Sequence, residues 1–166
     1  EARYLIIGVT RGDEFMNICN ALREIAKSLS QIRILFPVHR NPRIRHPAEE
    51  CLSGVRNIIL VDPLPYLQFV RVMNCADLIL TDSGGIQEEA PSLGKPVLVM
   101  RRTTERIEGL EAGTVRLIGT STQGIVNSVT RLLGSCSDYQ YMSQATNPYG
   151  DGRASIKVRQ ILEQLL

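Results

Sequence analysis

Asp82, Ser83, Gly84 and Gly85, followed by Glu88 and Glu89, are the residues whose types and spacing suit chemistry in this chain. Asp and Ser accept hydrogen bonds from the free amides at a helix start. Two side-chain-free residues let another group approach that backbone closely. A helix N-terminus adds unpaired N–H groups and a partial positive charge, so an anion such as phosphate fits there. A carboxylate one turn later can accept bonds from the two vicinal hydroxyls of a ribose. Phosphate plus ribose means a nucleotide. The plain alternative is an unoccupied βα turn followed by a solvated acidic helix face.

Other side chains gain interest only through position. Arg101, Arg102 and Arg106 lie in a charged stretch after the VLVM strand, where they can reach a phosphate or stand as a solvated loop. His39 and Asp62 each follow a predicted strand. Phe69 suits either the core or a pocket wall. Ser83 has no evident general base, so it reads as a cap or phosphate donor and not as a nucleophile. The two histidines, His39 and His46, lack the spacing and partners of a metal site. No GxSxG elbow, Walker loop or GxGxxG fingerprint occurs.

The elements that must position these residues are read from hydrophobic periodicity. Tyr4–Val9, Ile32–Val38, Val55–Val61, Leu78–Leu80, Val97–Met100 and Val115–Ile118 are short apolar runs, predicted as six buried strands. Thr10–Asp13 is a predicted turn, and Pro37 is expected to end the second strand's pairing early. Apolar residues at helical spacing predict a helix from Phe15 to Leu29 and another over Tyr66–Asn74 with Leu67, Val70 and Met73 on one side. The same signal predicts one through Ile125–Leu133 and a last one through Val158, Ile161, Leu162 and Leu165. Shorter helices are expected over Ala48–Leu52 and Tyr139–Gln144, and His39–Pro42 and Arg101–Gly113 are left as loops. Strands alternating with helices imply a doubly wound, Rossmann-like parallel α/β sheet, with ligands at the strands' carboxyl ends. His39, Asp62, Ser83 and Arg106 share that rim.

The chain's 166 residues are 43% hydrophobic and 22% charged, which suits one globular domain over residues 1–166. A net charge of +2 predicts no strong attraction to nucleic acid or to a membrane surface. Cys19, Cys51, Cys75 and Cys136 are too scattered for a zinc site or redox pair, and are expected to be buried or half-buried free thiols of the cytoplasm. The start, Glu1–Arg3 running at once into YLIIGV without a methionine, suggests a chain cut from a longer one.

TDSGGIQEEAPSLGKPVLVMRRTTER, with EAGTVRLIGT, NPYGDGRAS, FPVHRNP and DPLPYLQFV, closely resembles the C-terminal half of the bacterial non-hydrolysing UDP-N-acetylglucosamine 2-epimerases. The resemblance implies the second of two Rossmann-like lobes of a glycosyltransferase-B-like fold, with UDP held between them. It implies an isomerase that interconverts UDP-N-acetylglucosamine and UDP-N-acetylmannosamine by eliminating UDP and adding it back, without metal or redox cofactor. Surface polysaccharide synthesis is the implied setting. The implied partners are UDP or UDP-N-acetylglucosamine, the N-terminal lobe and, at full length, a second copy in a homodimer. By the same resemblance Ser83, Gly84 and Gly85 form the diphosphate turn, Glu89 holds the ribose, Arg106 belongs to the UDP site and Phe69 lines the uracil pocket. His39 matches a residue of an allosteric UDP-N-acetylglucosamine site in some members.

The departures bear on activity. Members of the family carry an HRREN-like motif directly after this lobe's first strand, and its histidine is part of the active site. Here Gly8, Val9 and Thr10 pass straight into RGDEF. Leu64 replaces a common glutamine, Arg102 stands where an aspartate is frequent, and the family's acid and base carboxylates lie mostly in the first lobe. The chain alone is therefore expected to be inactive, and no catalytic residue is assigned. Two alternatives remain: the donor lobe of a UDP-sugar glycosyltransferase, and a UDP-sugar-binding module without catalysis.

Overall fold

In the computed structural model, which describes residues 3–9 and 14–165, the apolar runs form one all-parallel sheet flanked by helices. In chain order the elements are β1 (Arg3–Gly8), α1 (Phe15–Ser28), β2 (Ile32–Pro37), α2 (Pro42–Leu52), β3 (Ile58–Val61), α3 (Tyr66–Cys75) and β4 (Leu78–Thr81). There follow α4 (Gly84–Glu89) with a 3-10 turn (Ala90–Leu93), β5 (Val97–Val99), α5 (Ile107–Ala112), β6 (Val115–Leu117), α6 (Thr122–Gly134), α7 (Cys136–Gln144) and α8 (Ala154–Leu165). The strand order is β3-β2-β1-β4-β5-β6, so the chain reverses direction across the sheet between β1 and β4. In such sheets the crevice beside that reversal receives ligands.

Strand alternation builds two cores. Leu5, Ile7, Ile34, Phe36, Leu80 and Leu98 face one way and pack with Ile18, Leu22 and Ile25 of α1, Ile44 of α2 and Ile125, Val129 and Leu132 of α6. Ile6, Ile79, Val97, Val99 and Val115 face the other way, against Met73 of α3, Ala90 and half-buried Ile86 and Leu110. β4 and β5 are buried along their whole length, as their continuous apolar runs require. Each fully buried Leu or Ile contributes about 1.5–3 kcal/mol.

Several expectations need correction. α2 starts at Pro42, six residues before the expected Ala48, because Asn41 caps it and accepts the N–H of Arg43. Pro42 occupies the first helical position, where no N–H is needed; Pro47 lies inside the helix without ending it. β3 begins at Ile58, since the buried Asn57 side chain donates to the carbonyls of Ala26 and Ile32 and ties down the preceding connection. Leu67 is 74% exposed while Met73 is fully buried. Six residues at 100° each leave those two on different sides of α3. Arg101–Gly113 contains the helix α5, closed by Gly113 at φ 78°. Cys75 and Cys136 are exposed, unlike the buried Cys19.

Pro37 limits pairing on one side only. The N–H groups of Ile34 and Val38 donate towards β3, to Asn57 and Val61. By alternation Pro37's nitrogen points towards β1, where the ladder ends at Leu35 against Ile6, while Pro37 itself stays in register with Val61. The turn expected over Thr10–Asp13 lies outside the described residues. Among the described residues no helix is long and apolar enough to cross a membrane.

Candidate functional site

β4 ends at Thr81, whose buried hydroxyl donates to the Gly8 carbonyl (2.7 Å) and accepts the N–H of Ser83 (2.9 Å). That side chain joins the ends of β1 and β4 and aims the turn after β4. A Cβ on Gly8 would collide with Ile86 Cδ1, so glycine there lets β1 approach α4. Ser83 takes the cap position of α4, but its side chain makes no capping bond. Asp82, a second candidate cap, is buried one residue earlier. Because α4 has only six residues, its aligned dipoles are few, and charge for an anion must come from elsewhere.

Arg106 is placed to supply it. A Cβ on Gly84 would lie 3.5 Å from an Nη of Arg106 and 3.3 Å from Oε1 of Glu105; one on Gly85 would lie 3.9 Å from Oε1 of Glu89 and 4.0 Å from Ser83 Oγ. The two glycines therefore form a bare floor ringed by Ser83, Glu89, Glu105 and Arg106. The Nε of Arg106 is ion-paired with Glu88, which raises its already high pKa. Glu105 lies below the usual carboxylate range through its own backbone N–H and the charges of Arg101 and Arg106. Arg101 is tied to Glu105 at 3.1 Å and Arg102 to Glu14 at 2.6 Å, so of the three arginines it is Arg106 that stands against the floor.

Beyond the floor, Glu89 faces the hydroxyl of Tyr66, at the start of α3; the carboxylate's charge and hydrogen bond raise the tyrosine's pKa. Phe69 is half-buried one turn further along α3. It lines a cavity of about 170 Å³ with Pro37, His39, Leu64 and Ile86. His39 and Phe69 thus share one depression, with His39 exposed at its lip and its Nδ1 accepting the Asn41 N–H. Asp62, on the same rim, is paired instead with Arg45 at 2.7 Å. A larger cavity, about 490 Å³, opens on the other side of β4 between Glu14, Asp82, Met100, Arg101 and Thr120. Among the described residues no cluster of three or more His, Cys, Asp or Glu could hold a metal ion.

Sequence reading missed Glu88 as the partner of Arg106, Tyr66 as the neighbour of Glu89, and the contact of the buried Gln87 of α4 with the half-buried Thr104. These contacts join residues 17 to 23 positions apart, and no local pattern announces them.

A doubly wound parallel sheet with a glycine turn, a carboxylate and an arginine gathered beside the reversal of strand order defines a Rossmann-like α/β lobe. The profile of the UDP-N-acetylglucosamine 2-epimerase family matches residues 8–163, and the chain belongs to that family. It is 59% identical over 152 residues to UDP-N-acetylglucosamine 2-epimerase of Escherichia coli K12, covering 92% of this chain and 40% of that protein. The corresponding values for the Campylobacter jejuni enzyme are 50% over 151 residues, 91% and 39%. The chain thus spans about 40% of the length of these relatives. Among solved structures, UDP-GlcNAc 2-epimerase from Neisseria meningitidis, bound to UDP-GlcNAc, superposes with a TM-score of 0.94 at 44% identity, over 98% of this chain and 45% of that one. A glycotransferase of kitacinnamycin superposes at 0.73 with 13% identity, a likeness of fold alone.

Proposed function

We propose that this chain is the UDP-binding half of an isomerase interconverting UDP-N-acetylglucosamine and UDP-N-acetylmannosamine by elimination and re-addition of UDP. The observation that carries the reading is the convergence of Ser83, Glu89 and Arg106 around the Gly84–Gly85 floor. In this reading the Ser83 hydroxyl, the turn's backbone and Arg106 hold the diphosphate, Glu89 takes the ribose hydroxyls, and Phe69 forms a wall for the uracil. Arg106 keeps its charge at any working pH and spreads the negative charge that UDP gains when its bond to the sugar breaks. Tyr66 fixes the direction of the Glu89 carboxylate. His39, at the lip of the same depression, is the candidate for a regulatory UDP-sugar contact.

Proton removal and return at the sugar's C2 fall in this reading to groups in the rest of the enzyme, since the carboxylates described at the floor, Glu88, Glu89 and Glu105, are engaged with Arg106, Tyr66 and Arg101. The missing proton-transfer groups make the N-terminal lobe a partner; the family resemblance adds a second copy at full length, in the cytoplasm, with neither nucleic acid nor membrane as partner and no cofactor. Family membership favours isomerisation over the glycosyltransferase reading, whose support is the shared fold.

Each charge-assisted hydrogen bond contributes roughly 1.5–3 kcal/mol, against an association cost of about 4–15 kcal/mol. Half a cleft therefore gives a dissociation constant on the order of micromolar to millimolar. Calorimetric titration with UDP tests the reading: the parent chain binds saturably, Glu89→Ala loses at least about tenfold for UDP, and pyrophosphate binding is unchanged by that substitution. Equal UDP affinity in parent and variant would remove the ribose assignment. Turnover of UDP-N-acetylglucosamine by the chain alone would refute the division of labour.

A further inference from the structure

The buried amide of Gln87 has a use beyond packing. Gln87 is fully buried on α4, and its Nε2 donates to the carbonyl of Ser83 at 3.0 Å. Its Oε1 accepts the hydroxyl of Thr104 at 2.7 Å. The same Thr104 oxygen accepts the backbone N–H of Arg106 at 3.1 Å. One unbroken series of hydrogen bonds thus runs from the turn after β4 to the residue that carries the guanidinium after β5. A buried amide satisfied at both ends has one geometry, because any shift leaves a polar group unpaired in a dry site.

We propose that Gln87 and Thr104 are positioning residues that set Arg106 over the Gly84–Gly85 floor, so that they act on diphosphate binding through Arg106 without touching the ligand. The proposal rests on the reading of this floor as the diphosphate site. Glu88 grips the guanidinium at Nε, which directs the side chain; Gln87 and Thr104 hold the backbone from which it springs. Neither grip alone fixes the position of the terminal nitrogens.

The test is a titration of the parent and variant chains with UDP and with uridine, which lacks the diphosphate. Gln87→Met keeps length and apolar bulk but removes both hydrogen bonds; Thr104→Val keeps shape and removes the hydroxyl; Thr104→Ser keeps the hydroxyl. UDP affinity falls about tenfold in the first two, the order of one charge-assisted hydrogen bond, and stays at the parent value in Thr104→Ser. Uridine affinity is unchanged throughout. In an Arg106→Ala background neither Gln87→Met nor Thr104→Val lowers UDP affinity further.

Parallel loss for UDP and uridine, additive loss on top of Arg106→Ala, or unchanged UDP affinity would each overturn the proposal. If Gln87→Met fails to fold, the half-buried Thr104→Val carries the same comparison. UDP binding that needs Arg106 but ignores Gln87 and Thr104 refutes this proposal alone, whereas a parent chain that binds no UDP refutes the site reading and this proposal with it.

Discussion

Helices α6 and α8 are both amphipathic and of similar length, yet α6 buries Ile125, Val129 and Leu132 while no residue of α8 is buried. Ile156, Val158, Ile161, Leu162 and Leu165 of α8 stand between 48% and 77% exposed. Periodicity therefore reports that a stripe needs cover, and topology decides where the cover is. For α6 it is α1 and the sheet within this chain. An unpacked helix of 12 residues is marginal in water. Its apolar stripe fits the reading of the chain as part of a larger enzyme.

The comparison can be broken most directly by truncation at matched positions. Leu132→Ala in α6 is expected to cost about 2–5 kcal/mol in denaturant unfolding, whereas Leu162→Ala in α8 stays within about 0.5 kcal/mol. Equal costs would mean that α8 packs on this chain in solution.

Thiols sharpen the same contrast with a smaller effect. Burial and the neighbouring Cys51 push Cys19 of α1 up to about 12 from an ordinary 9.0, while Cys136, at the start of α7, is exposed. A raised thiol pKa means that the unfolded chain releases its proton first. The associated stability is whole below about 9 and is lost as pH rises from there towards 12. Cys19 therefore resists a thiol reagent at pH 8 while Cys136 reacts, and Cys19→Ala flattens the alkaline fall in unfolding free energy. Labelling of Cys19 and Cys136 at equal rates would show that α1 is not packed as described.

What was legible in the sequence follows the range of the interaction. The strands, the main helices and the glycine turn are written in neighbours two to four residues apart, and apart from the late start of β3 they appear where expected. The start of α2 is also written locally, in the cap and first-turn pair Asn41–Pro42, although its apolar residues are few. α5 escaped because its six residues sit in a charged stretch too short for a clear period. The floor's surroundings escaped for a different reason: Glu88 and Arg106, or Gln87 and Thr104, meet only because β4 and β5 are adjacent strands. Ser83 and Glu89 are legible from residue type and spacing, and Arg106 from its place after the VLVM strand; the family pattern picks out the same three, and the fold brings them together.

The pairing of β1 with β4 also sets an order of events as the chain is made. Leu5 lies opposite Leu78, and Thr81 bonds to Gly8 across 73 positions. Closing a loop of that length costs entropy that grows only with the logarithm of its size, but the contact cannot form until β4 has left the ribosome. Until then β1 pairs with β2 alone, and its other edge is open to any strand that passes. The glycine floor and Arg106 hang on β4 and β5, so the candidate nucleotide site takes shape only once the centre of the sheet has closed. Nucleotide present during synthesis could then reward only chains that have already closed their centre.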